Sequence, residues 1–453
     1  MFNRTIISEL VKWAEKPRRK PLVLRGARQV GKTTVANLFS KHFDQYIYLN
    51  LELAEDRKVF EDFQNVETLL DAIFFLKDKS RSEGRTLLFI DEIQEAPQAI
   101  EQLRYFYEQV PELWVMAAGS LLETLFNKDI NFPVGRVTYM VVRPVSFVEF
   151  LEALGETNAL EQWKNVPIAD FAHDKLLELF HRYALIGGMP EVVDTYAATK
   201  DIVGLQPVYE SLLVSYLEDV EKYARNQSLA EVMRHAIRSS FAEAGQRIKF
   251  QGFGRSNYGS REMGEAIRTL ERAMLVNLVY PATQVTLPIL EDRKKSPRLQ
   301  VLDTGLLNHF AGLQKEVLGT KDLNSIYQGG ITEHIVGQEL LASSFNVLGG
   351  LHFWVREKRT SSAEIDFLYL YNNLLIPLEV KSGATGKLKS LHIFMDRAPH
   401  TIAIRLYSGK FQIDKLTTVN GKAFFLLNLP YYLVAQIDSY LNWFLTAYPD
   451  RID

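Results

Sequence analysis

Two sets of residues in this chain have the types and the spacing to do chemistry. The first is "GARQVGKTT", Gly26 to Thr34, which matches the pattern G-x-x-x-x-G-K-[ST] in full. Glycine at 26 and 31 lets the backbone close around phosphates, so that the N–H groups along Ala27, Arg28, Gln29, Val30 and Gly31 can point inward. Lys32 is placed to reach the β- and γ-phosphates of a nucleotide, and Thr33 to offer a hydroxyl to Mg²⁺. From Thr33 and Thr34 onward a helix would aim its positive end at the same anion. Further along, "TLLFIDEIQ" ends an apolar run in Asp91-Glu92. There Asp91 suits the Mg²⁺ shell, and Glu92 can orient or deprotonate an attacking water. Ser120 closes the next apolar run, "WVMAAGS", where it either touches the γ-phosphate or its water, or simply caps a strand.

The second set is carried by "IDFLYLYNNLLIPLEVKSG", residues 365–383. Folding this stretch about Asn372-Asn373 as a two-residue hairpin loop pairs Tyr371 with Leu374 and Asp366 with Glu379. Opposed side chains share a face, and Lys381, two residues beyond Glu379, shares it too. The pairs Leu368–Pro377 and Asp366–Glu379 are both of the non-hydrogen-bonded kind, so Pro377 removes no bond and the carboxylates sit at the closer spacing. Two acids held that close repel unless a cation lies between them, which points to a metal site or, more plainly, to surface acids neutralised by Lys381.

The elements that must position these groups follow from the pattern. Between about residues 20 and 150, the runs "PLVLRG", "YIYLNLE", "RTLLFIDE" and "WVMAAGS" alternate with helical periodicity, the pattern of an α/β domain with a mostly parallel sheet. Residues 151–204 read as helical, broken at Gly187, Gly188 and Pro190 in "RYALIGGMPEVV". In residues 205–319 helices precede the short strand pair "LVNLVYPAT", with Ile267, Leu270 and Met274 as a core stripe at helical spacing. The charge run Glu291–Arg298, "EDRKKSPR", reads as a solvated loop. Residues 320–453 read as a long helix carrying Glu333, several strands with "YNN" and "NGK" turns, and a closing helix.

Composition narrows the classes. The chain has 453 residues, enough for several domains, with 47% hydrophobic and 24% charged residues. A net charge of −3 gives no global attraction to nucleic acid, so any such binding needs a local patch. With no cysteine there are no disulfides, thiolate metal sites or cysteine nucleophiles. The first twenty residues form a short amphipathic helix ending in a basic turn, without the apolar core of a signal peptide, and no run is long enough for a membrane span. The expected setting is the cytosol.

These motifs together carry a resemblance. "RGARQVGKTT", "LFIDEIQ", "GSLLE", "VGRV" with "RPVSFVEF", and "IGGMPEVV" resemble a group of prokaryotic AAA-type ATPases with a C-terminal domain of unknown function. The resemblance implies an AAA-type core over 1–150, a helical lid over 151–204, ATP with Mg²⁺, and ATP hydrolysis. It also implies a homo-oligomer in which a neighbour's arginine completes the site. Arg136 in "PVGRV" is the candidate, acting in trans, as a sensor in cis, or as an ordinary surface arginine. The segment 205–319 resembles a winged-helix module, read here as a connector rather than a DNA reader, because Arg268 and Arg272 alternate with Glu265 and Glu271. Residues 320–453, with Glu333, then Asp366, then Glu379-x-Lys381, resemble the PD-(D/E)xK restriction-endonuclease-like superfamily. That resemblance implies Mg²⁺ held by Asp366, Glu379 and Glu333, with Lys381 positioning a water, and DNA or another nucleic acid as partner. Whether such a domain cuts or only binds stays open on these residues.

Overall fold

The computed structural model describes residues 2–61, 63, 65–119, 133, 135–312, 330–356, 363–381 and 388–448. The chain divides into two compact units. One comprises Met1–Arg143 with Arg272–Leu275 and Ser344–Gly349, and the other comprises Pro144–Glu271, Val276–Ser343 and Gly350–Asp453.

The first unit is built on five parallel strands. They are β1 (Leu22–Arg25), β2 (Gln45–Asn50), β3 (Thr86–Asp91), β4 (Trp114–Ala118) and β5 (Thr138–Val141), in the spatial order β2-β3-β4-β1-β5. Strand β3 is buried at every position, as its unbroken apolar run requires of a strand covered on both faces. Each fully buried Leu or Phe there contributes about 1.5–3 kcal/mol. At the edge, β2 alternates buried and open positions, which brings Tyr46 and Tyr48 to one face. The order leaves β1 and β3 on either side of β4, so the loops after β1 and β3 emerge at the same end of the sheet.

The second unit begins with helices Phe147–Leu154, His173–Ile186, Pro190–Thr199, Gln206–Tyr223 and Gln227–Ala242. Gly187, at φ 81°, ends the second of these, and the Gly188 N–H donates to Asp303 Oδ2 at 2.5 Å. A bridge at Arg247, a short turn Phe253–Arg255 and the helix Ser260–Arg272 follow, then strand β6 (Val276–Val279). That helix buries Met263, Ala266, Ile267 and Leu270, but it ends at Arg272, so Met274 lies beyond it at φ 60° and only half buried. The stripe is therefore carried one turn earlier than spacing alone suggested.

The strand pair also differs from the expected one. "LVNLVYPAT" does not pair within itself. β6 pairs antiparallel with β8 (Arg298–Val301), and β7 (Pro281–Ala282) pairs with β9 (Phe353–Val355). The charge run is thus a loop only until Ser296 and Pro297. Arg298 starts a fully buried strand.

After the helix Gly330–Ala342 come β9, β10 (Glu364–Ile365), β11 (Phe367–Tyr371), β12 (Leu374–Val380), the helix Lys389–Met395, β13 (Ile402–Tyr407), β14 (Gln412–Thr417) and β15 (Ala423–Pro430). The last five strands form one mixed sheet ordered β11-β12-β13-β15-β14, with β12, β13 and β15 parallel and the outer pairs antiparallel. The hairpin register is as derived: Tyr371 faces Leu374 and Phe367 faces Leu378, with Asn372 and Asn373 at φ 45° and 66°. Leu368 N–H turns away from Pro377 and donates to His352 O at 2.8 Å.

Candidate functional site

At the end of β1 the loop Gly26–Gly31 runs into the helix Lys32–Phe39. Gly26 sits at φ 151°, where a side chain is disfavoured, and a Cβ there would run into Val142 O. Gly31 precedes the helix in the left-handed region at φ 92°. Ala27 and Val30 are buried, Arg28 and Thr34 half buried, and Gln29 exposed, so the loop is anchored by its apolar members. Arg4 helps hold it, donating to Val30 O at 3.1 Å.

Lys32 is buried, and its Nζ donates to Gly26 O and Ala27 O, each at 3.0 Å. Burial lowers its pKa, while Glu92 and Asp91 work in the opposite direction. An amine held by two carbonyls of a phosphate-type loop is stored next to the place where anionic oxygens would take it. Thr33 Oγ1 donates to Asp91 Oδ2 at 2.6 Å, so hydroxyl and carboxylate converge as a Mg²⁺ ion requires. Burial raises the pKa of Asp91, and the Thr33 hydrogen bond counters it. Glu92 follows in the left-handed region (φ 50°, ψ 45°), and Gln94 Nε2 donates to its Oε2 at 2.5 Å.

Ser120 lies outside the described residues. Arg136 is exposed, and its Nε donates to Glu108 Oε1 at 2.8 Å, a carboxylate that also takes Arg104. Among the described residues, the geometry pairs Arg136 with the helix Pro97–Gln109 rather than with the phosphate loop. Two residues that spacing did not flag join the site. Tyr48 Oη donates to Asp91 Oδ2 at 3.3 Å from the edge strand, and Gln94 fixes Glu92. The alternation in "YIYLN" was the one signal that could have found Tyr48.

The second set is assembled by the mixed sheet. Asp366 occupies the break between β10 and β11, and its Oδ2 accepts from Val380 N at 2.8 Å. Glu379 is buried, with Oε1 accepting from Lys381 Nζ at 2.5 Å and Oε2 without a hydrogen-bond partner among the described residues. These are not surface acids. Burial, and after it Asp366, pushes the Glu379 pKa up to about 8. Burial and Asp366 likewise raise Glu333 to about 7, against the effect of Arg298. Burial opposes the charge of Lys381, yet Glu379 and Asp366 hold its pKa above the usual lysine range.

Glu333, on the helix Gly330–Ala342, does not stand free beside Asp366. Its Oε2 lies 3.5 Å from Arg298 Nη1, and Arg298 also contacts Glu364 and Asp366. Among the described residues, no group of three or more His, Asp or Glu is arranged to hold a metal ion. The carboxyls Glu333, Asp366 and Glu379 are brought together, but around Arg298 and Lys381 rather than around an open centre. Across the sheet, register sets Glu379 beside Arg405 and Arg405 beside Asn428, a buried polar row in which, among the described residues, Arg405 Nε and Asn428 Oδ1 also lack hydrogen-bond partners.

Residues 18–151 match the AAA_14 family, an AAA domain. The N-terminal region is an AAA-type P-loop ATPase domain. Residues 177–317 match a domain of unknown function, DUF8612, and residues 328–426 match another, DUF4143. None of the curated proteins matches the chain. Among solved structures it is similar to the Walker-type ATPase Paby2304 of Pyrococcus abyssi, at 15% identity and a TM-score of 0.44, over 69% of this chain and 96% of that one. It is also similar to the RuvB Holliday junction branch migration motor of Thermotoga maritima, at 13% identity and a TM-score of 0.26, over 61% of this chain and 90% of that one. No described helix is long and apolar enough to cross a membrane.

Proposed function

We propose that the chain is a Mg²⁺-dependent ATPase whose nucleotide state is coupled to a nuclease-like, nucleic-acid-associated C-terminal domain. The observation that carries the ATPase part is the convergence of Lys32, Thr33 and Asp91. A buried amine rests on loop carbonyls, and a hydroxyl lies 2.6 Å from a carboxylate. These residues fit ATP with Mg²⁺: Thr33 and Asp91 would hold the ion, and the cradle at Gly26 leaves the backbone free to approach phosphates. When bound, Mg²⁺ neutralises charge on the phosphate oxygens. Lys32 moves its donors from Gly26 O and Ala27 O to the β- and γ-phosphates, and Glu92, steadied by Gln94, orients the attacking water. A neighbouring copy would supply Arg136, which is exposed and held by a single carboxylate.

For the remainder, the order helix, bridge strand, turn, helix and antiparallel β6–β8 pair supports the winged-helix reading of the middle. The order helix, β9, β11, β12, helix, β13 supports the restriction-endonuclease-like reading of the C-terminal sheet. One observation favours a second reading, a nucleotide-controlled interaction switch that does not cut: the acids rest on Arg298 and Lys381, and so the donor set does not fit a metal as it stands. The test is full-length protein with labelled single- and double-stranded DNA and RNA, with and without ATP and Mg²⁺ or Mn²⁺. ATP hydrolysis lost in Lys32→Ala is expected. ATP hydrolysis that survives that change would refute the assignment to Lys32, no hydrolysis in the wild type would refute the ATPase reading, and cleavage that requires Asp366, Glu379 and Lys381 would refute the switch.

A further inference from the structure

Arg298 belongs by sequence to an exposed charge run, yet only 7% of it is exposed. It opens β8, opposite Val279 on β6, and reaches three carboxyls from three places in the fold. Nη1 lies 3.5 Å from Glu333 Oε2, on the helix Gly330–Ala342, and donates to Asp366 O at 3.0 Å. Nη2 pairs with Glu364 Oε1, at the start of β10, and lies 4.0 Å from Asp366 Oδ1. The guanidinium is further held over the rings of Phe353 and Phe367, at 4.7 and 6.0 Å from their centroids. Arg247 adds a weaker, more exposed contact to Glu364 at 3.7 Å.

A guanidinium keeps its charge in any protein setting, and its planar set of donors can satisfy several acceptors at once. A divalent ion on Glu333 and Asp366 would have to sit within a few ångströms of that fixed positive charge, which already lies against one oxygen of each. Guanidinium and ion therefore compete for the acids. We infer that Arg298 is a built-in counter-ion that excludes divalent metal from Glu333 and Asp366. The middle segment, through β8, thereby sets whether the C-terminal acids can take a metal at all. The buried Oε2 of Glu379, without a hydrogen-bond partner among the described residues, marks the place where the set is still one bond short. This inference rests on the nuclease-like reading only for where a metal would go.

The test is Mn²⁺ uptake by the nucleotide-free full-length protein, read from the electron paramagnetic resonance signal of the free ion. Variants are Arg298→Met and Arg298→Met combined with Glu364→Gln, the second relieving the acids left behind if the first fails to fold. Near-ultraviolet circular dichroism checks each fold. The expected result is no Asp366-dependent Mn²⁺ in the wild type. Either folded Arg298 variant should gain a site at least about tenfold tighter, and Asp366→Asn should remove it. An Asp366-dependent Mn²⁺ site already present in the wild type, as tight as in the variants, overturns the role of Arg298 and leaves the metal reading standing. If no chain with a native fold shows such a site, the metal reading falls, and this inference with it.

Discussion

The phosphate loop and the C-terminal acid cluster place charged groups at similar depth and prepare them differently. In the ATPase domain one lysine waits on backbone carbonyls, and a hydroxyl donates directly to a carboxylate. In the C-terminal sheet, four acids drawn from a helix, a strand end, a bend and a central strand are met by Arg298, Lys381 and, at the margin, Arg247. Carbonyls are weak partners that give up an ammonium group readily to phosphate, whereas a buried guanidinium among carboxylates is costly to remove. The first arrangement is open to its ligand. The second is already neutralised from within.

The largest effect should come from the open site. Lys32→Ala should abolish ATP binding, and Glu92→Gln should keep binding while slowing hydrolysis by about a hundredfold or more. Unchanged turnover in Glu92→Gln, measured by phosphate release, would show that another group handles the water.

The closed site should respond in stability. Arg298→Ala takes the guanidinium from Glu333 and Asp366 and leaves Glu364 only the weaker Arg247 contact, and should destabilise the second unit by about 3–5 kcal/mol in urea unfolding. A loss below ~1 kcal/mol would mean that water enters the cluster and that the contrast with the phosphate loop is overstated.

A third prediction sets pH against burial elsewhere in that unit. Glu339, fully buried, accepts from Phe147 N and Tyr183 Oη at 2.9 and 2.6 Å, and burial raises its pKa to about 7. A carboxyl whose folded pKa lies above its unfolded value stabilises fully below the unfolded value, near 4.5, and loses that contribution as pH rises through about 7. Glu339→Gln should therefore remove roughly 2–4 kcal/mol of the loss between pH 5 and pH 8, in urea unfolding at the two pH values. Identical pH slopes for wild type and variant would place the proton elsewhere, Asp303, raised to about 6 by its burial, being next.

Smaller effects test the edges of the open site. Tyr48→Phe removes one donor to Asp91 and should shift the Mg²⁺ dependence of ATP hydrolysis a few-fold without changing ATP binding. Arg136→Ala should leave the melting temperature unchanged, since its partner Glu108 is exposed. Mixed with Lys32→Ala, it should recover some ATPase activity if the arginine acts in trans. Strictly additive activity in the mixture would remove the trans role.

Where the chemistry sits in one short stretch, residue types and spacing were enough. Gly26 to Thr33 need only a strand before and a helix after, both visible as patterns, and Asp91-Glu92 ends a run that can only be a buried strand. The hairpin register also followed from the chain itself, because a two-residue turn at Asn372-Asn373 leaves one pairing. Met274 failed as a core position because the helix ends at Arg272, and no capping signal announced that end.

What the chain could not disclose was the burial of Glu379 and the partner of the acids. Asp366 and Glu379 oppose each other in any register-correct hairpin, but local pattern does not say whether a metal, a lysine or a distant arginine neutralises them. That was decided when β8 brought Arg298 beside residues at positions 333, 364 and 366, between 35 and 68 places away along the chain. The physical reason is range: loops, caps and hairpins are set by neighbours in sequence, whereas the compensation of buried charge depends on whichever elements the tertiary fold packs around it.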